Sequence, residues 1–211
     1  MNSDSSSGSK VQRLRERQKE AIAQEILSAA AKEIVEKGIH SMHMADVAAR
    51  AGVAVGTLYN HYKDRDALLC ALAALRHSEL LKSLDERIAA VENEPFRLQI
   101  RALLLGIFSH FEENWQFFAA FMQAESAPPV IARPAHSFQR AMYERFDALI
   151  ERGKQQQVLR AEVAALAPSL LMGMTRAMLM RRLYVKDEPN LLSHVDILVD
   201  CFLDGVGRKK T

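Results

Sequence analysis

The chain has 211 residues, 49% of them apolar and 26% charged, and a formal net charge of only +2. This composition excludes a disordered charged tail and a strongly basic nucleic-acid coat, and it allows one domain of about 150 residues plus a smaller one, or one elongated helical unit. No apolar run approaches the ~20 residues that a bilayer demands, the start of the chain lacks the apolar segment of a leader, and Cys70 and Cys201 fit neither disulfide nor metal spacing. A soluble cytoplasmic protein is expected.

Residues 1–9, MNSDSSSGS, are rich in serine and poor in apolar side chains, which predicts disorder. Residues 10–19, KVQRLRERQK, carry five Lys or Arg against one Glu, whereas from Glu79 onward seventeen basic and seventeen acidic residues balance. Any field that attracts a polyanion must therefore arise in the amino-terminal third. We expect a flexible basic arm over residues 1–16 and a first helix over Arg17–Lys37, with Ile22, Ile26, Leu27, Ala30 and Ile34 along one side. Gly38 would end it.

The stretch Met44 to Tyr62, MADVAARAGVAVGTLYNHY, parses as two short helices around a tight turn. Val47, Ala48 and Ala51 share a face of the first, Gly52 supplies the left-handed residue, and Val53 plugs the corner. Val55–His61 follows as a second helix with Leu58 and Tyr62 facing inward. Such a helix-turn-helix places its second helix in a DNA major groove. Residues 17–63 then form a DNA-binding domain and residues 64–211 a second domain. Asp64 is a good N-cap for a fourth helix whose Leu68, Leu69, Leu72, Leu75 and Leu80 lead toward Val91.

Pro95 restarts the chain. Leu98, Ala102, Leu105, Phe108 and Phe111 mark a fifth helix, and Trp115, Phe118, Phe121 and Met122 a sixth. Three prolines between Ser126 and Ala135 predict a loop. Met142, Tyr143, Phe146, Leu149 and Ile150 mark the seventh helix. The eighth, about Pro168–Tyr184, is apolar almost all round, and the ninth, about Leu191–Leu203, has two apolar faces. No strand alternation appears. The expected fold is all-α with about nine helices.

The string Gly56-Thr57-Leu58-Tyr59-Asn60-His61-Tyr62, with the charged turn and Leu68-Leu69 after it, resembles the DNA-binding signature of the tetracycline-repressor (TetR) family of bacterial regulators. Ile26-Leu27, Ala30, Ile34, Gly38 and Asp46-Val47-Ala48 also fall in that family's pattern, so the resemblance spans about fifty residues. It implies that Val55–His61 lies in the groove and that His43, Val55, Thr57, Tyr59, Asn60, His61, Lys63 and Arg65 form the double-stranded DNA contact. Their chemistry suits this: Thr57 for a thymine methyl or a phosphate, Asn60 for adenine, Tyr59 and His61 for phosphate oxygens. The chain departs from the family at Met42-His43, where a hydroxyl-bearing pair is frequent, and at Ala45 and Val55, where basic residues are frequent. Arg50 is the only Lys or Arg between His40 and Tyr62. The arm residues Lys10, Arg13, Arg15, Arg17 and Lys19 either supply the missing phosphate contacts or are a solvated helix start.

The resemblance further implies a small-molecule pocket beyond residue 110. Trp115, Phe118, Phe121, Met122, Tyr143, Phe146 and Met172 would be its walls, with His110, Gln139 and Arg176 as polar anchors for an apolar or aromatic effector. Taken singly, an aromatic at helical spacing is more often a core residue. A homodimer through a four-helix bundle of the last two long helices is implied as well, through Gly173, Met174, Ala177, Met178, Arg181, His194, Ile197, Leu198 and Cys201. No catalytic set stands out: His40 and His43 lack a third metal ligand, Glu112-Glu113 point to different sides of a helix, and no nucleophile elbow, phosphate loop or dinucleotide fingerprint occurs. No enzyme activity, cofactor, metal or membrane association is expected. The reading is a ligand-responsive repressor that binds a palindromic operator as a dimer. The alternative is a helical small-molecule or partner-binding protein with degenerate DNA recognition.

Overall fold

The computed structural model describes residues 5–123, 132–185 and 189–206, with side chains except those of residues 5–9, 11, 120–123 and 132–135. In order these form α1 (Ser5–Lys37), α2 (Met44–Arg50), α3 (Val55–His61), α4 (Arg65–Ala90), α5 (Phe96–Glu113), α6 (Trp115–Gln123), α7 (Ala132–Gln155), α8 (Ala161–Ala164), α9 (Ala167–Tyr184), a 3-10 turn (Leu191–His194) and α10 (Val195–Val206). Among the described residues there is no β-strand, and the fold is all-α as the periodicity predicts.

Four boundaries differ from expectation. The first helix begins at Ser5 instead of Arg17, because Arg, Gln, Glu and Lys in the basic run are good helix formers and serine costs only a few tenths of a kcal/mol per residue against alanine, by order of magnitude. The helix after the proline cluster begins at Ala132. Pro134 thus sits in its first turn, where a missing N–H has no helical partner to lose; the rest of the expected loop, 126–131, lies outside the described residues. The short α8 has no counterpart in the sequence pattern. The expected ninth helix splits, since Asn190 accepts a hydrogen bond from the Leu192 N–H at 2.8 Å and opens a 3-10 turn before α10.

The chain divides into two compact units, with one division inside α4 between Ala74 and Leu75 and another inside α6 between Ala119 and Ala120. In the first, α2 packs on α1 and on α3. Its interior is Ile26, Leu27, Ala30 and Ile34 of α1, Ile39, Met42, Val47, Ala48, Leu58, and Leu68, Leu69 and Leu72 of α4. Asp64 caps α4 as predicted, its Oδ1 accepting the Ala67 N–H at 2.7 Å. The second unit holds one apolar cluster that includes Leu84, Phe96, Ile100, Leu103, Phe108, Phe146, Leu149, Leu171, Val195, Val199 and Phe202. Within it, α7 packs on α9 and α10 on α5. Buried Gln99 closes the turn before α5, its Nε2 donating to the Glu92 and Glu94 carbonyls at 3.0 and 2.8 Å.

Candidate nucleic-acid interface

The geometry of the reading head begins with a glycine closure on each side of α2. Gly38 (φ +81°) ends α1 with its N–H on the Ile34 carbonyl at 2.9 Å. At the other end Gly52 (φ +68°) donates to the Ala49 carbonyl at 3.2 Å, and Val53 reaches across it to the Ala48 carbonyl at 3.0 Å. This pair of bonds is the Schellman closure, and it requires a left-handed residue between them. It sets the direction in which α3 departs.

α3 is anchored by one side chain. Leu58 is fully buried, which stabilises the docking of the helix by about 1.5–3 kcal/mol. Val55 is 44% exposed, Tyr59 48% exposed, and Asn60 is exposed; Thr57, His61 and Tyr62 are half-buried. The helix therefore presents Val55, Tyr59 and Asn60 to solvent and turns Leu58 inward. Burial raises the pKa of the Tyr62 phenol, and the His61 ring lies 6.3 Å from the Tyr62 ring. His43 is the residue before α2 and makes no side-chain cap; its carbonyl accepts the Asp46 and Val47 N–H groups, each at 3.1 Å. Met42, which stands where the family often has a hydroxyl, is a core side chain 1% exposed.

The cations have an arrangement that sequence reading missed. Arg50 Nε meets Glu33 Oε1 at 2.7 Å, and its other guanidinium nitrogens are bonded to Glu36. Lys37 Nζ sits between Glu33 Oε2 at 2.9 Å and Asp46 Oδ2 at 2.8 Å. The network ties α1 to α2. The hydrogen bond from Lys37, outweighing desolvation, holds the nearly buried Glu33 carboxyl below its ordinary range, and Lys37 does the same for Asp46. Glu36 and then Glu33 strengthen the protonation of Arg50, as Asp46 and then Glu33 do for Lys37. Arg65 donates to the Ile39 carbonyl and so braces the start of α4 against the loop between α1 and α2. Lys63 stands out, with a side chain 84% exposed and only a 3.6 Å approach to Asp64. The Glu33–Lys37 spacing of four residues was the one readable sign of this network.

In the second unit the predicted ligand residues do not gather at one place. Phe146 is a core side chain, 1% exposed, while Gln139, Tyr143 and Arg176 are exposed and Met172 is half-buried. The side chains of Phe121 and Met122 lie outside the described residues. Trp115, Phe118 and His110 do meet around Phe111. Its ring stacks on Phe118 at 5.1 Å and meets Trp115 edge-on at 5.5 Å, while His110 meets Phe118 edge-on at 6.0 Å. Arg182 covers the Trp115 ring at 4.1 Å and pairs with Glu112 at 3.1 Å, and the same Glu112 oxygen accepts the Leu191 N–H at 2.9 Å. His77, which sequence reading passed over, stacks on Phe138 at 4.0 Å; burial and then His110 lower its pKa to about 4. Burial also lowers the pKa of His110, whose Nε2 is enclosed without a hydrogen-bond partner among the described residues. Two clefts open elsewhere, one of about 490 Å³ along Arg87, Val91, Leu98, Arg101 and Leu105 and one of about 200 Å³ along Asp85, Ile88, Arg145 and Arg152. Neither is lined by a predicted ligand residue.

Of the predicted dimer residues, Ile197 is 60% exposed, Gly173, Ala177, Arg181 and Cys201 are exposed, and Met174, Met178, His194 and Leu198 are half-buried. Leu166 and Leu170 at the start of α9 are 60% and 46% exposed. Among the described residues no group of three or more His, Cys, Asp or Glu could hold a metal ion, and no helix is long and apolar enough to cross a membrane.

Comparison with known proteins places residues 26–72 in a family model described as bacterial regulatory proteins, tetR family. An HTH-type transcriptional regulator of Haemophilus influenzae is 30% identical over 107 residues, a match that covers 51% of this chain and 56% of that protein. The chain thus spans little more than half the length of that relative. Among solved structures, a TetR-family transcriptional regulator from Mesorhizobium loti matches with a TM-score of 0.76 at 18% identity, covering 90% of this chain and 98% of that one. FadR of Bacillus subtilis, in complex with stearoyl-CoA, matches with a TM-score of 0.72 at 18% identity, covering 86% and 98%. These two share the fold.

Proposed function

The chain is a member of the TetR family of bacterial regulators, and from that premise we propose that it is a DNA-binding transcriptional repressor, a homodimer that reads a palindromic operator and is released by a small apolar or aromatic effector. The observation that carries the reading is the division of α3 into a buried anchor, Leu58, and an exposed face of Val55, Tyr59 and Asn60, flanked by His61 and Lys63. A donor and acceptor set of this kind suits base edges and phosphate oxygens in the major groove. His43 adds a contact from the loop before α2. Arg65 acts as a brace through the Ile39 carbonyl.

Self-association is supported by the apolar surface that α9 and α10 leave uncovered, with Leu170 and Ile197 among its exposed side chains and Gly173 and Ala177 permitting close helix approach. An apolar effector is supported by the ring cluster of Phe111, Trp115 and Phe118 beside His110. The FadR neighbour of similar fold holds stearoyl-CoA, a ligand with an apolar chain. Release requires that the effector bind the DNA-free state more tightly, and a coupling of about 1–3 kcal/mol is typical.

The engagement of Arg50 by Glu33 and Glu36 favours one second reading, a helical binding protein whose DNA recognition has weakened. Fluorescence anisotropy with the duplex upstream of the chain's own coding sequence, at low and moderate salt, separates the two. The repressor reading expects affinity that persists at moderate salt and collapses in a Tyr59→Ala/His61→Ala variant. Affinity that survives this double change refutes α3 as the reading helix.

A further inference from the structure

The reading head is short of free fixed charge. Between His40 and Tyr62 the only Lys or Arg is Arg50, and it is spent on Glu33 and Glu36. Lys37 is shared by Glu33 and Asp46, and Arg65 is bonded to the Ile39 carbonyl. The same stretch holds three of the chain's seven histidines, His40, His43 and His61. His40 and His43 are exposed, and His61 is half-buried on the helix that carries Tyr59 and Asn60.

We infer that these three imidazoles are the phosphate-facing cations of the reading head, so that DNA binding takes up protons and weakens as pH rises. The inference rests on the DNA-binding reading above. Histidine is the side chain whose ordinary range straddles the step from charged to neutral near physiological pH. An array of phosphates favours the charged form of an imidazole, so binding draws protons onto it. With that sign, affinity falls as pH rises. Each imidazolium that neutralises a phosphate also adds about 0.9 to the salt slope.

The surroundings allow this. His43 acts on Asp46, but that carboxylate is already bonded to Lys37, which shares Glu33 with Arg50. Beside His61 lie the Tyr62 ring, Lys63 and Asp64, and Asp64 is engaged by the Ala67 N–H and approached by Lys63. Next to His40, Arg65 is directed onto the backbone of Ile39. Lys63 and the basic residues of α1 provide whatever attraction does not depend on pH.

The test uses the full chain and a duplex that it selects at about pH 6 from a random-sequence pool, with anisotropy read at about pH 6 and pH 8 over a range of salt. Uptake of one to two protons gives an affinity about 10- to 100-fold higher at the lower pH, with a salt slope steeper by about 1 to 2. A His40→Gln/His43→Gln/His61→Gln variant should bind with nearly equal affinity and slope at both pH values. Single His43→Gln and His61→Gln variants should each remove part of the difference. Equal wild-type affinity and slope at the two pH values would overturn the inference and leave the repressor reading standing, and so would a pH effect that the triple variant retains. Selection of no duplex at any pH or salt overturns both.

Discussion

Gly52 offers a direct test of how the turn aims α3. A Cβ built on it meets nothing within 4 Å, so a substitution there probes backbone conformation alone, at φ +68°. Gly52→Ala places a non-glycine residue in the left-handed region at a cost of about 1–2 kcal/mol. If the turn keeps its shape, that strain appears as lost stability, and for a chain of this size each kcal/mol lowers Tm by about 2–4 °C. If the turn relaxes instead, α3 departs in a new direction and DNA binding must restore it, which weakens affinity by about 5- to 30-fold. The two losses trade against each other, so thermal melting and anisotropy must be read on the same variant. Gly52→Asn is the control, because a short polar side chain visits the left-handed region more readily, and it should recover at least half of either loss. An alanine variant with wild-type Tm and wild-type affinity would refute the closure as the aiming device. So would an asparagine variant as damaged as alanine.

In the second unit, a Cβ on Gly153 would lie 2.6–2.9 Å from three atoms of the Phe96 ring, which is buried. Gly153→Ala gains about 1 kcal/mol of helix propensity but overpacks a rigid ring at about 1–3 kcal/mol; net destabilisation is expected in denaturant melts, relieved in a Phe96→Leu background by a coupling of about 1 kcal/mol. Ile197→Glu charges the most exposed apolar side chain of α10; light scattering should then report monomer in place of the dimer proposed for the parent, and an unchanged mass would exclude this face from the interface. His77 has a pKa lowered from 6.5 to about 4 by burial and by His110. The unfolded chain therefore binds the proton first, and the stability that neutral His77 provides is fully present above about pH 6.5 and is lost as pH falls toward 4. A plot of Tm against pH should be shallower for His77→Gln over that window, though not flat, because His110 shifts in the same direction.

What the sequence made readable were local features. Gly52 and Leu58 announce the turn and the anchor of α3 because a left-handed residue and a buried side chain at helical spacing leave marks within a few positions. Asp64 as a cap is likewise a relation across three residues. The Arg50 network was not readable, since its partners lie 14 and 17 residues back along the chain and only the packing of α2 on α1 brings them into reach. The ring cluster was half readable: Trp115 and Phe118 share one helix face, but Arg182 over Trp115 and Phe138 under His77 come from distant segments. Phe146 is a core side chain, and helical spacing alone cannot tell a core-facing ring from one that lines a cavity. The extension of α1 to Ser5 was missed because serine-rich composition was weighed above the helix-forming run that follows it.

Val55 is 44% exposed and Ala45 is exposed, so neither side chain has a packing duty that a lysine would disrupt. Folding therefore does not dictate the scarcity of permanent charge on the reading face. Both positions are open to substitution, and a lysine at either would add a grip on DNA that is insensitive to the medium. On the reading proposed above, chains that differ from this one only at those two sites would share a fold yet hold DNA over different ranges of acidity and salt, which makes the pair a natural adjustment point for tuning an engineered regulator.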